Sequence, residues 1–374
     1  MGFIPVNEPL LNGNEKKYLC ECIDTGWISS EGPFVKEFEK KLSASVGRAY
    51  GVAVSNGTAA LEIAVRALGI EPGDEVIMPT FTIISCAAAV TKAGAVPVFV
   101  DSDLKTWNMN VDEIEAKITD RTKAILVVHI YGLPVELEPV LALAEKYGLK
   151  MIEDAAEMLG QTYKGLPCGS FGDLSIFSFY PNKHVTTGEG GMVVMNDAGL
   201  AERCRSLRNL CFQRDVRYVH DEIGYNYRFT NLQAALGLAQ IEQLEEAVKR
   251  KRAMGRYYTK KLREIGGLML PLETTAYADN IYWVYGMVLE QNIPIDNKGM
   301  QKLLAEKGIG SRTFFWCMHE QPVYRKTGMF LGEVYPNAEY LARKGFYIPS
   351  GLALTKMQMD KVIEAIKDIM KQMV

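Results

Sequence analysis

Three short segments carry residues whose types and order could do chemistry together. The first is Ser55-Asn56-Gly57-Thr58-Ala59. A strand pattern ends at Ser55 and a helix pattern begins just past it. The start of a helix offers unpaired N–H groups and the positive end of the helix dipole, which suit a phosphate. Gly57 would let the backbone come close. The second segment is Ile152-Glu153-Asp154-Ala155-Ala156-Glu157. An apolar strand delivers Asp154 to its C-terminal end, where open α/β sheets bind ligands. A carboxylate there can face a protonated ring nitrogen or a metal. The third runs Phe177-Ser178-Phe179-Tyr180-Pro181-Asn182-Lys183-His184-Val185-Thr186-Thr187-Gly188-Glu189-Gly190-Gly191. Lys183 stands between aromatic residues and a Gly-rich turn. A lysine desolvated near other cations has a lowered pKa and can attack an aldehyde.

Each segment alone has an ordinary reading: a capped helix after a tight turn, an Asp capping the next helix, a lysine in a surface loop. In order along one chain they supply a phosphate cradle, an acidic partner for a pyridine nitrogen and an imine-forming lysine. Pyridoxal phosphate needs those three. Asp154 would keep the ring nitrogen protonated, so that the ring draws electrons from the substrate carbon. Lys183 would anchor the cofactor and, once released, move a proton.

Strand and helix patterns alternate around these segments. Apolar, β-branched runs at 50–55, 74–78, 96–100, 124–128, 150–153, 173–179 and 191–195 read as strands. Residues 57–68, 83–93 and 137–147 have helical spacing. The alternation predicts a mainly parallel, seven-stranded sheet flanked by helices, an α/β fold. From 230 to about 265 the pattern is helical and increasingly charged, as in a long connector. Beyond it, strands at 282–289 and 310–315 and helices at 301–307 and 357–370 predict a smaller α+β domain. The expected division is 1–245, with an N-terminal arm, and 246–374. A chain of 374 residues is long enough for both.

Composition excludes several classes. The formal net charge of −3 gives no footprint for nucleic acid. No run of about 18 apolar residues predicts a membrane span, and the first residues lack a signal-peptide pattern. The seven cysteines are scattered, and Cys20-Glu-Cys22 has the wrong spacing for a zinc or redox motif. Free thiols in a reducing cytoplasm and no bound metal are expected. No GxGxxG opens a helix after the first strand, which disfavours a dinucleotide dehydrogenase.

Nearly the whole chain resembles the sugar-nucleotide aminotransferases of the DegT/DnrJ/EryC1/StrS family. The resemblance rests on TGWISSEGPFVKEFE, SNGTAAL, PGDEVIMPTFT, HIYG, IEDAAE, GSFGDLSIFSFYPNKHVTTGEGG, GYNYRFTNLQAALGLAQ and WCMHEQPVY. It implies an aspartate-aminotransferase-like (type I) fold, with pyridoxal 5'-phosphate as cofactor and its pyridoxamine form as intermediate. By the same resemblance, Lys183 is the Schiff-base lysine and Asp154 faces the pyridine nitrogen. Gly57, Thr58 and Ser178 contact the phosphate. Phe81 stacks on the ring, Ala156 packs on its other face, and Glu157 lies near the cofactor hydroxyl. Asn226, in GYNYR, reaches the phosphate in the neighbouring subunit. That implies a homodimer with shared active sites, with higher pairing left open.

A dehydratase branch of the family carries histidine in place of the lysine, and His184 lies beside Lys183 here. In the NKxxTTGEGG form the lysine stands five residues before the Gly of TGEGG, the interval from Lys183 to Gly188. His184 is then an extra neighbour, in a supporting or exposed position. TTGEGG resembles the members that move an amino group from L-glutamate to C4 of a 4-keto-6-deoxy sugar nucleotide. Within that group, WISS, FVKEFE, HIYG and IGYNYRFTN resemble the members that act on GDP-4-keto-6-deoxy-D-mannose, with UDP or dTDP sugars as alternatives. A non-catalytic regulator that binds cofactor or sugar nucleotide is the reading from another class. Arg214, Arg217, Tyr218 and His220 lie in a polar loop that could reach a pyrophosphate or simply be solvated. Trp316 and His319 fall in a segment that the family places near the substrate. Relatives often have histidine where Trp316 stands, and His319 also reads as a structural histidine.

Overall fold

The computed structural model describes residues 2–213, 215–216 and 218–373. Seven strands form the main sheet: β1 (Tyr50–Val54), β2 (Glu75–Pro79), β3 (Val96–Val100), β4 (Thr122–Val128), β5 (Lys150–Asp154), β8 (Leu174–Ser178) and β9 (Gly191–Met195). Between β5 and β8 lies a small hairpin, β6 (Thr162–Tyr163) and β7 (Leu166–Pro167). The order across the main sheet is β1-β9-β8-β5-β4-β2-β3, and both pairings of β9 are antiparallel while the rest are parallel. The expected mainly parallel sheet of seven strands is present.

Both faces are covered, which is why the strands read as unbroken apolar runs. Alternate residues serve opposite cores. Val52, Ile152, Ile176 and Val193 pack on one side, and Ala53, Met151, Phe177 and Val194 on the other. Helices α3 (Gly57–Ala67), α4 (Ile84–Lys92) and α6 (Ala198–Arg208) contribute to the first core. Helices α1 (Glu15–Thr25), α2 (Pro33–Ser45), α5 (Leu137–Tyr147) and α7 (Asn231–Ile241) contribute to the second.

The long helical pattern from 230 is two helices rather than one. Helix α7 ends at Ile241, and α8 (Leu244–Leu262) starts after a turn at Glu242–Gln243. Thr230 caps α7 in a reciprocal box with Gln233. The expected boundary after 245 falls in the first turn of α8. Beyond it, β10 (Leu268–Met269), β11 (Tyr285–Leu289), β12 (Arg312–Thr313) and β13 (Gly345–Ile348) form an antiparallel sheet in the order β10-β11-β13-β12. Helix α8, α9 (Asn297–Glu306) and the last helix, Lys356–Met370, pack a third core with it. Strands β10 and β13 have no counterpart in the sequence reading. No helix is long and apolar enough to cross a membrane among the described residues.

Candidate active site

The parallel strands deliver their C-terminal ends to one edge of the main sheet. Asp154 ends β5 and Ser178 ends β8. The two-residue period of a strand puts both on the face of Ile152 and Ile176. Helix α3 starts at the same edge, after β1. Together they border a cavity of about 370 Å³ lined by Gly57, Thr58, Asp154, Ala156, Glu157, Ser178 and Lys183. Seven of the eleven cofactor and substrate-side residues outside the 214–218 loop that the sequence singled out therefore meet in one place.

The phosphate end is built by Asn56. Its side chain takes the N–H of Ala59 at 2.8 Å. The N–H groups of Gly57 and Thr58, one turn too early for helical partners, remain for a ligand. Thr58 and Ser85 share a hydroxyl hydrogen bond of 2.8 Å. Glycine is needed at 57 because an added Cβ would sit 2.9 Å from that of Ser178.

At the other end Asp154 is buried, and each oxygen already holds one donor. The Ala156 N–H donates to Oδ1 at 3.0 Å and the Cys86 thiol to Oδ2 at 3.2 Å. Burial pushes its carboxyl above the usual range, against the pull of those donors. A buried acid in this state gains most from a cation placed opposite it. Glu157 is raised further, to about 8, again by burial, with Lys183 opposing the rise. Its Oε2 accepts the Tyr131 N–H at 2.7 Å.

Lys183 sits in the connection between β8 and β9, two strands paired along their whole length. The Thr-Thr-Gly-Glu-Gly-Gly run closes that connection on itself. Thr186 Oγ1 donates to the Phe179 carbonyl and accepts the Gly188 N–H, both at 3.0 Å. Thr187 donates to the Glu189 carbonyl at 2.6 Å. Gly188 has φ +79°, and a Cβ at Gly190 would lie 2.2 Å from the Thr187 hydroxyl. The Lys183 side chain is 12% exposed, with Nζ 3.7 Å from Glu157 Oε1. Burial lowers its pKa, while Glu157 and Asp154 pull it back up.

Other expectations fall elsewhere. Phe81 is fully buried and absent from the cavity wall. Its ring is taken up by Tyr131, Phe314 and Phe315, and Thr82 and Ile83 line the wall in its place. Trp316 lies outside the wall, with the Arg343 guanidinium 4.1 Å above its ring. His319 is fully buried, 2.8 Å from the Thr80 hydroxyl and 3.2 Å from Glu339, and lies outside the wall. Asn226 is exposed, bridges Asn209 and is not part of the cavity wall. Tyr218 is 72% exposed, near Phe212, and His220 is also exposed. Arg214 and Arg217 lie outside the described residues. His184 is buried rather than exposed. Burial and the nearby Lys251 hold it neutral, well below its ordinary pKa.

Several wall residues escaped the sequence reading. Tyr180, Asn182 and Glu189 sit beside Lys183 in the chain and were legible as its neighbours. Trp283, Phe315 and Tyr347 come from far along the sequence. Only the fold brings them in.

The family model for DegT/DnrJ/EryC1/StrS aminotransferases matches residues 9–367. The chain belongs to this family. It is 42% identical to a GDP-perosamine synthase of Escherichia coli O157:H7 over 98% of this chain and 99% of that protein. It is 41% identical to a GDP-perosamine synthase of Caulobacter vibrioides over 98% of each. Among solved structures, a putative sugar aminotransferase of Streptococcus pneumoniae, Spr1654, superposes with a TM-score of 0.92 at 26% identity over the full length of both chains. That protein was solved in pyridoxal-phosphate, pyridoxamine-phosphate and apo forms. The chain is thus a pyridoxal-phosphate-dependent aminotransferase with the fold class expected of it. The cavity fits that cofactor by its own chemistry: amide donors at one end, a buried acid at the other, and a buried lysine in the wall.

Proposed function

We propose that this aminotransferase moves an amino group from L-glutamate to the C4 ketone of GDP-4-keto-6-deoxy-D-mannose, giving GDP-perosamine. The observation that carries the substrate is the full-length similarity, at 38–42% identity, to three proteins named GDP-perosamine synthase. The product would serve O-antigen or related glycan assembly in the cytoplasm.

In this reading the bound cofactor supplies an electron-withdrawing ring that stabilises negative charge on the substrate carbon. Lys183 anchors it and then moves the proton at that carbon. Asp154 holds the ring nitrogen in its charged form. Gly57, Thr58 and Ser178 hold the phosphate, Ala156 packs on the ring, and Glu157 orients its hydroxyl edge. Asn226 serves the partner subunit's site in a homodimer. The large unit ends near residue 245, and residues 246–374 form the smaller one.

A mass-spectrometric assay with glutamate and a panel of 4-keto sugar nucleotides tests this. The GDP-linked substrate should exchange its ketone oxygen for an amine. Turnover of UDP or dTDP sugars alone would replace the substrate assignment, and a product lacking an oxygen with no amine gained would point to dehydration. Lys183→Ala should abolish turnover while keeping the circular-dichroism spectrum; undiminished turnover would remove Lys183 from its role.

A further inference from the structure

Trp283 brings the second half of the chain to the reacting amine. It lies just before β11, is 4% exposed, and lines the cavity. The centre of its indole ring is 3.7 Å from Lys183 Nζ. On its other contacts that amine meets the Glu157 carboxylate, also at 3.7 Å. The ammonium is therefore held between a carboxylate and an aromatic face, in a place from which water is largely shut out.

The indole has little freedom to leave. Its Nε1 donates to the Asn182 carbonyl at 2.9 Å, the residue next to the lysine itself. Its own carbonyl accepts the buried Lys251 ammonium at 2.8 Å. Its ring stacks on Tyr131 at 5.8 Å and 21°. Tyr131 in turn donates its N–H to Glu157 and accepts the Phe315 N–H at its hydroxyl. The two groups that flank the amine are thus fixed through one tyrosine. An aliphatic side chain here could exclude water equally well. It would offer the cation nothing, whereas a desolvated indole face attracts it.

We propose that Trp283 is a further catalytic residue, whose indole face receives the Lys183 ammonium whenever that amine is free of the cofactor. This rests on Lys183 being the anchoring lysine. The face stabilises the charged amine where burial alone would drive off its proton. It also keeps the amine aimed at the cavity until it is needed again.

The test uses the full-length, cofactor-free protein. The rate at which it captures added pyridoxal phosphate, followed by absorbance without substrates, depends on the neutral fraction of Lys183. Its pH midpoint should fall by roughly one unit in Trp283→Leu, the tenfold that a desolvated cation–π contact is worth. Trp283→Phe, which keeps an aromatic face, should fall less. Independently of any Trp283 variant, tryptophan emission of the cofactor-free wild type should titrate at the same midpoint as capture, and Lys183→Ala should lose that transition. A midpoint that stays or rises in Trp283→Leu, or emission that titrates equally in Lys183→Ala, overturns the proposal. Borohydride reduction and peptide mass measurement separate this from the underlying assignment. Cofactor trapped on another residue defeats the role of Lys183 itself; cofactor trapped on Lys183 with unmoved midpoints defeats only the role of Trp283.

Discussion

Glu157 and Lys183 set each other's charge. Burial raises the acid to about 8 and lowers the amine, and each opposes the other's shift. Replacing Glu157 with Gln keeps the acceptor for the Tyr131 N–H but removes the negative charge beside Nζ. The Lys183 ammonium then loses its stabilising partner, and its pKa falls. The pH midpoint for cofactor capture should move down by roughly 1–3 units, the range for a charge at this distance. Stopped-flow absorbance on the cofactor-free variant measures it, and an unmoved midpoint would mean that Glu157 is protonated and silent at working pH.

At the scale of elements, the N-terminus of α3 and the helix α8 have separable tests. Asn56→Ala strips the cap from α3 and should cost about 1 kcal/mol in urea unfolding. It should also weaken cofactor retention, because Ala59 then competes for the same acceptors as Gly57 and Thr58. Lys251 on α8 is a buried cation bonded to the carbonyls of Trp283 and Ser350. Burial brings it from 10.5 to about 7, with Lys183 pushing the same way. A folded pKa below the unfolded one favours the native state at high pH and penalises it as pH falls towards the folded value. Wild type should therefore lose stability relative to Lys251→Met between about pH 10.5 and 7, and the difference should level off below 7. Urea midpoints across that range decide it; a pH-independent difference would place the Lys251 charge in contact with water.

What the sequence could convey follows from these same elements. The strands of the main sheet are buried on both faces, so their apolar runs stood out, and β5 and β8 delivered Asp154 and Ser178 to the shared edge. Asp154, Ser178 and Lys183 were legible because chemistry and element boundary coincide there. The break between α7 and α8 was hidden, since Glu242 and Gln243 suit a helix as well as a turn. Strand β13 merges with the helical pattern before it, and β10 is only two residues long. Trp283 had no local signal at all: it lies 100 positions from Lys183, and its meaning comes from what it touches. Phe81 shows the converse. Its neighbours are right, but an aromatic cluster claimed its ring.

At the scale of the whole molecule, Asn226 is exposed near a surface that includes Trp27, Ile28, Asn209 and Phe212. A dimer that buries this surface could bring Asn226 to a second cavity. Mixed populations provide a direct check. Lys183→Ala and Asn226→Arg homodimers should each be impaired, yet unfolding and refolding them together in equal amounts should restore about a quarter of wild-type turnover. Random pairing makes half the dimers mixed, and each mixed dimer has one site free of both changes. If each site used residues of one chain only, mixing would restore nothing.

The β8–β9 connection has a further consequence. Its arms are neighbouring strands, each paired on both sides within the sheet, so the loop that carries Lys183 cannot drift from the cavity. The amine that lets go of its partner is never farther away than the length of its own side chain. Its return is then a first-order event, with an effective molarity that for well-oriented groups reaches on the order of 10⁵ M. Free amines in solution, at millimolar levels or less, cannot compete with it. Amino donors must therefore win their place by fitting the site, and not by their abundance.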